Sequence, residues 1–353
     1  MCLRNSSVEL LRIIAMLLII THHFGFHGIF HESMMKSAYY TVDHLTWQFV
    51  LTQMLCWGGG VGNLIFIFIT GYYMIDRKVD YFKILSLILV MTVLSVIILL
   101  ILYVCGYQFG FFDLIKQIFS IWFGNNWFVS CYVVFSLFIP FINILLKTIT
   151  KKQFENLLLI SFFVFVIIPF LKGNTYTNHA PLLFFSLAYS IGVYIKLHVD
   201  VNEKIKHCKF VGGISLVLLL SLIGLFDYLG IYFTNDRLIY FATYSKEILQ
   251  YPIAICMFIY FLAKKEFYNS LINEIAGTCL GIYLIHDNDL VRPIIWDDCF
   301  KNVAFISEWY YPFFVIIKVS IVFVLSSFIY CVISKCIRLL INNCQINKYI
   351  FKR

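Results

Sequence analysis

Three ionisable residues near the N-terminus are spaced so that they share one face of a helix. The segment RIIAMLLIITHHFGFHG (12–28) is mostly apolar, yet it begins with Arg12 and contains His23. Successive residues of an α-helix turn by about 100° and rise by about 1.5 Å, so Arg12 and His23 lie within about 20° of each other and about 16 Å apart along the axis. Glu9 shares that face one turn before Arg12, whereas His22 points about 80° away.

These residue types can bind an anionic ligand and move a proton. A His side chain can act as a general base near neutral pH, and the planar guanidinium of an Arg can bind phosphate or carbonyl oxygens through several donors. An alternative is that Arg12 only reaches the interface and pairs with Glu9, while His22, His23 and His27 lie at the opposite interface. Ionisable groups are costly in an apolar helix, so the alignment of Glu9, Arg12 and His23 favours a functional role.

The composition places this helix in a membrane. Of the 353 residues, 61% are hydrophobic and 13% are charged, whereas soluble domains carry about 25% charged residues. We therefore predict an all-α polytopic membrane protein, a single domain over residues 1–353. A spanning helix needs about 20 mainly apolar residues, and ten segments qualify: 8–27, 57–75, 83–105, 127–146, 154–171, 182–197, 210–229, 246–263, 274–291 and 311–334. The first segment lacks a small-residue cleavage site and is predicted to be a retained helix.

Basic residues are distributed unevenly between alternate loops, and this gives the ten helices an orientation. With a cytoplasmic N-terminus, 18 of the 27 Lys and Arg residues fall in inner segments and seven in outer segments. Cytoplasmic loops carry such an excess, so both termini are predicted to be cytoplasmic. The net charge of +8 then indicates contact with anionic membrane lipids, and no nucleic-acid partner is expected. Lys318, inside the last span, is predicted to reach the interface through its long side chain.

Four segments resemble, in chain order, motifs of the acyltransferase 3 family, which are integral membrane O-acyltransferases with ten core helices. In VELLRIIAMLLIITHH (8–23), Glu9, Arg12 and His23 stand at the family's acidic residue, Arg and His. Two departures are Thr70, where the family more often has Ser, and DRKVDYFK (76–83), which only partly matches the family's paired arginines. The other three similar segments are GVGNLIFIFITGYYM (60–74), NNWFVSCYVVFSLFIPFIN (125–143) and LGIYLIHD (280–287).

The resemblance implies transfer of an acyl group from a cytoplasmic acyl-CoA, expected to be acetyl-CoA, to a hydroxyl of a cell-surface or lipid-linked glycan. His23 would be the general base, Arg12 would bind the acyl-CoA, and Glu9 would belong to the catalytic set by orienting Arg12. The segments are most similar to the compact branch that acetylates bacterial surface glycans, which implies a place in the bacterial cytoplasmic (inner) membrane.

Two further residues are candidates for binding the acceptor. Trp127 lies in a family-like segment, and flat aromatic rings stack on sugar rings; the alternative is that it anchors the outer interface. His286 lies in the polar run HDNDL at the end of the predicted ninth span, where it either contributes to the site or fastens that helix to its neighbours. The 11 Cys residues form no Cys-x-x-Cys pair, and no metal site is predicted.

A transporter or flippase for a polysaccharide precursor is the main alternative, because intramembrane Arg and His residues also suit a substrate or proton pathway. Such proteins often contain helices that Gly or Pro breaks in corresponding positions of two halves. We find no matched pair of broken helices in the sequence, which favours the enzyme. A purified protein that binds or slowly hydrolyses acetyl-CoA would distinguish the two classes.

Overall fold

A computed structural model describes residues 4–30, 45–124, 126–171, 180–244 and 247–342, which form helices and no strand. The helices in chain order are α1 (Ser6–Gly28), α2 (Trp47–Leu55), α3 (Gly58–Met74), α4 (Tyr81–Val104), α5 (Phe111–Ile118), α6 (Ser120–Phe123), α7 (Trp127–Thr148), α8 (Lys151–Phe162), α9 (Ile168–Leu171), α10 (Pro181–His198), α11 (Val201–Phe233), α12 (Asp236–Tyr244), α13 (Glu247–Leu262), α14 (Ser270–Ala276), α15 (Cys279–His286), α16 (Val291–Pro293) and α17 (Tyr311–Asn342). Six of the basic residues counted for the orientation lie outside the described residues: Lys36, Lys172, Lys246, Lys348, Lys352 and Arg353.

Eight stretches of the described chain are long and apolar enough to cross a membrane. They correspond to the predicted first to seventh spans and to the last one. The second comprises both α2 and α3, which together extend over Trp47–Met74, and the fifth joins α8 to α9 through a π-helical turn at Phe163–Ile167. The protein is therefore an all-helical membrane protein, as predicted, while the count of ten and the sides of the termini stay predictions.

The predicted eighth and ninth spans are short helices. The eighth is α13, an apolar helix of 16 residues. The ninth is interrupted: α14 ends at Ala276 and α15 begins at Cys279, with Gly277 and Thr278 between them. The sequence analysis missed this break because the apolar pattern continues across it.

Helix α1 lies at the centre of the molecule, between two apolar cores. Its first half packs into a core shared with α3, α7, α10, α11 and α13, and its second half packs into a core shared with α2, α4, α15 and α17. Glycines allow α3 to approach α1 closely. A Cβ at Gly59 would overlap the ring of His22, and a Cβ at Gly62 would overlap the carbonyl oxygen of Ala15.

The beginning of α1 is tied to the beginning of α14. Asn5 caps α1 by accepting a hydrogen bond from the backbone N–H of Ser7 at 2.9 Å. Ser6 donates its hydroxyl to Asn273 Oδ1 at 2.9 Å and accepts the backbone N–H of Asn269 at 2.8 Å. These contacts place the starts of α1 and α14 on the same side of the molecule and fix the position of one helix relative to the other along the axis of α1.

The ammonium group of Lys318 is held inside the protein. Its Nζ donates to the carbonyl oxygen of Phe300 at 2.8 Å and to Asn302 Oδ1 at 3.0 Å. The same atom lies about 5 Å from the ring centres of Phe305 and Phe314. The prediction that this side chain reaches the interface is therefore wrong, because a loop folds back over α17 and supplies the partners that water would otherwise provide.

Candidate functional site

A cavity of about 330 Å³ lies beside α1 and extends past the break between α14 and α15. All four family-like segments contribute to its wall. The lining residues within those segments are Arg12, Met16, Ile19, Asn63, Phe66, Thr70, Phe128, Val129, Tyr132, Leu280 and Tyr283. Segments that are far apart in the sequence thus meet around one space, which identifies that space as the candidate site.

Arg12 and Glu9 are bonded to each other at this cavity. The Nη1 of Arg12 donates to both carboxylate oxygens of Glu9, at 3.1 and 3.2 Å. Glu9 is buried, whereas the Arg12 side chain keeps 32% of its surface exposed and lines the cavity. A guanidinium carries five N–H donors, so this pairing orients Arg12 and leaves donors for a ligand.

His23 is not among the residues that line the cavity, but it lies on the same face of α1. Arg12, Met16 and Ile19 line the wall from α1, and His23 is the next residue on that face. Its Nδ1 lies 2.9 Å from Nε2 of His286, and Nδ1 of His286 lies 2.6 Å from the carbonyl oxygen of Ile282. The structure therefore brings together two His residues that are 263 positions apart in the sequence.

The neighbouring His22 faces a different helix, as the helical phase predicts. Its Nδ1 lies 2.9 Å from the carbonyl oxygen of Cys56, and its ring stacks on Phe26 and packs against Gly59. A carbonyl oxygen accepts hydrogen bonds only, so His22 donates here and fastens α1 to the segment before α3. His22 and His23 thus have separate structural environments.

A buried carboxylate and an Arg lie next to the two bonded His residues. Asp287 Oδ1 is 3.2 Å from Nε of Arg292, 3.5 Å from Nε2 of His27 and 3.7 Å from Nδ1 of His23. Nη2 of Arg292 also donates to the backbone carbonyl oxygen of Asp287 at 2.8 Å. The sequence analysis did not identify Asp287 or Arg292 as site residues, although the polar run HDNDL pointed to this region.

Three side chains of this cluster carry possible metal-ligand atoms within 4.8 Å of one another: His23, His27 and Asp287. Their other contacts decide whether a metal ion fits between them. The guanidinium of Arg292 already contacts the carboxylate oxygen that a cation would need. Its positive charge disfavours a second cation at that oxygen. In addition, Nδ1 of His23 is bonded to His286. The cluster fits an ion-pair network better than a metal centre, and the absence of a metal stays a prediction.

Trp127 is not among the residues that line the cavity. It begins α7, and its ring meets the ring of the next residue, Phe128, at 5.6 Å. Phe128 is the residue that lines the cavity, and its ring lies 6.0 Å from the ring of Tyr283. The role of Trp127 in binding an acceptor therefore stays a prediction that no described contact supports.

A second space of about 240 Å³ adjoins the cavity, because Leu87 and Tyr132 line both. Its wall contains three basic residues that follow α3 in the sequence: Arg77, Lys78 and Lys83. The two spaces thus meet at Leu87 in α4 and Tyr132 in α7, which places these basic residues next to the cavity that Arg12 lines.

The fold and the site define a multi-helix membrane protein in which α1 carries both an Arg that lines a cavity and a His that belongs to a buried His pair. The family model described as an acyltransferase domain, acyltransferase 3, matches residues 5–336. The chain belongs to this family, as its four motifs predict, and is a membrane acyltransferase. Neither the curated proteins nor the solved structures include a significant match to the chain.

Proposed function

We propose that the protein is an O-acyltransferase of the bacterial cytoplasmic membrane that moves an acetyl or other acyl group from cytoplasmic acyl-CoA to a hydroxyl of a cell-surface or lipid-linked glycan. The observation that carries the proposal is the cavity whose wall all four family-like segments share and which Arg12, Met16 and Ile19 line from the face of α1 that also carries His23. Arg12 is about 16 Å from His23 along α1. An extended acyl-CoA molecule could therefore contact Arg12 and also bring its thioester close to His23.

The two adjoining spaces suit the extended shape and the charge of acyl-CoA. Arg77, Lys78 and Lys83 offer positive charge to its phosphates. The pantetheine arm would pass Arg12, and the thioester would reach the end of the cavity near Ile19 and Tyr283. The excess of basic residues in inner segments also orients the protein, so these charges alone would not identify a donor.

The reaction moves one proton from the acceptor hydroxyl to the CoA thiolate by way of His23. The acceptor hydroxyl oxygen bonds to the thioester carbonyl carbon, the carbon–sulfur bond breaks, and CoA leaves. His23 takes the hydroxyl proton and returns it to the CoA thiolate, so the products are an O-acyl ester and free CoA. In this scheme His23 is the general base, Arg12 binds the donor, and Glu9 orients Arg12.

The proposal is tested with purified protein, acetyl-CoA and surface glycan from a bacterium that expresses it. Wild-type protein should bind acetyl-CoA, release CoA and leave alkali-labile acetate on the glycan. Loss of a general base typically costs about 10²- to 10⁴-fold in rate, so His23→Ala should lose this transfer while keeping acetyl-CoA affinity. His22→Ala, compared at equal amounts of folded protein, should keep most activity.

Two results would contradict the proposal. Wild-type protein that neither binds nor turns over acetyl-CoA, yet moves a lipid-linked saccharide across proteoliposomes, would support the transporter alternative. Full transfer by His23→Ala would remove His23 from the mechanism.

A further inference from the structure

We infer that His286 is a positioning residue that selects Nε2 of His23 as the nitrogen that accepts the proton. The inference rests on the proposed role of His23 as general base, and it gives His286 a function other than acceptor binding. His286 is fully buried, and its contacts set the direction of each hydrogen bond in a short chain.

The chain of hydrogen bonds begins at a backbone carbonyl. The oxygen of Ile282 can only accept, so Nδ1 of His286, at 2.6 Å, must carry the proton. In a neutral imidazole one nitrogen donates and the other accepts, so Nε2 of His286 is left with a lone pair. The turn of α15 therefore fixes the tautomer of His286.

The tautomer of His286 in turn determines the tautomer of His23. Its Nδ1 lies 2.9 Å from Nε2 of His286, and since that nitrogen accepts, Nδ1 of His23 must donate. The unprotonated nitrogen of neutral His23 is then Nε2. A hydrogen bond to one ring nitrogen sets the role of the other, so His286 makes Nε2 of His23 the basic atom.

Asp287 does not replace His286 in this role. Its Oδ1 is 3.7 Å from Nδ1 of His23, which is longer than a hydrogen bond, and 3.2 Å from Nε of Arg292. In Ser-His-Asp enzymes a carboxylate directly orients the basic His. Here a neutral His would do so, and Asp287 would supply a nearby negative charge when His23 becomes protonated.

Two amide variants of His286 distinguish the contribution of its Nε2 atom from that of its Nδ1 atom. His286→Gln places an amide oxygen near the position of Nε2, where it can still accept from His23. His286→Asn places an amide nitrogen near the position of Nδ1, so that it can bond the carbonyl of Ile282 but does not reach His23. The two variants are matched in chemistry and differ in the bond that they keep.

We expect His286→Asn to lower kcat for glycan acylation by about 10²- to 10⁴-fold, as for loss of a general base. His286→Gln should stay within about tenfold of wild type, the scale of one altered hydrogen bond. KM for acetyl-CoA and the unfolding temperature in detergent should change little in either variant. A purely structural role would instead raise KM for acetyl-CoA, lower the unfolding temperature and give no rescue by Gln.

Three results would overturn the inference. The first is a wild-type kcat in His286→Asn. The second is an equal loss of kcat in both variants while acetyl-CoA still binds normally. The third is a loss of kcat in both variants that is explained by unfolding of the protein. His23→Ala is measured in the same series. If His23→Ala keeps its activity, the assignment of His23 as general base fails and the inference fails with it. If only His286→Asn keeps its activity, the inference fails and the base assignment stands. If wild-type protein transfers no acyl group, the proposed function itself fails.

Discussion

Arg12 gives a prediction whose size follows from its contacts. Its Nη1 is occupied by the two oxygens of Glu9, and the rest of the guanidinium faces the cavity. A hydrogen bond to a charged group is worth about 1.5–3 kcal/mol. Loss of one such bond to the donor corresponds to about a 10- to 150-fold rise in Kd for acetyl-CoA, which is the effect expected for Arg12→Ala. Arg12→Lys should fall between Ala and wild type, because a compact charge cannot reproduce a planar fork of donors.

Acetyl-CoA binding to purified protein, measured by calorimetry or equilibrium dialysis, checks this prediction. Arg12→Ala leaves the buried Glu9 carboxylate without its partner, which is itself destabilising. The double variant Glu9→Gln, Arg12→Ala removes that charge and separates folding from binding. Lys264→Ala is a matched loss of positive charge at a residue that packs on Tyr260 and does not line the cavity. An unchanged Kd in a folded Arg12→Ala variant would refute the role of Arg12 in donor binding.

Three further predictions test the orientation and the packing. Cysteines placed at Lys151 and Lys301 should react with impermeant reagents from opposite sides of the membrane, and labelling of both from one side would contradict the topology. Gly62→Ala should destabilise by about 1–3 kcal/mol through overlap with the α1 backbone, seen as a lower unfolding temperature in detergent; Gly213→Ala, which meets no atom within 4 Å, is the control and should not lower it. Lys318→Met should lower the unfolding temperature, since two buried acceptors lose their donor, and an unchanged value would show that those bonds contribute nothing.

The sequence was sufficient for features that depend on one helix. The pairing of Glu9 with Arg12, and the separation of His22 from His23, follow from the helical period, and the structure confirms both geometries. The all-helical membrane fold also followed from composition, because only apolar stretches of that length can span hydrocarbon as helices.

Features that join distant segments could not be predicted in this way. No local pattern links His23 to His286, because their contact depends on how α1 packs against α15. The break at Gly277 and Thr278 lies in a continuous apolar run, so hydropathy alone could not show it. Asp287 belongs to the polar run HDNDL and Arg292 follows it, and only tertiary packing places both residues beside His23 and His27.

The interrupted ninth helix has a consequence for water in the site. Ala276 and Gly277 line the cavity, and α15 begins there without a side-chain cap on its first turn. Inside a bilayer, backbone that leaves the helical pattern is tolerated only where protein or a hydrated space supplies hydrogen-bond partners. The cavity beside this break can supply such a partner, so we expect it to be hydrated next to Arg12; under the proposed function, a bound thioester would then be exposed to hydrolysis while no hydroxyl acceptor is bound. Slow release of CoA without transfer is therefore expected of the proposed enzyme, and a bound acceptor should lower this loss by displacing water from the site.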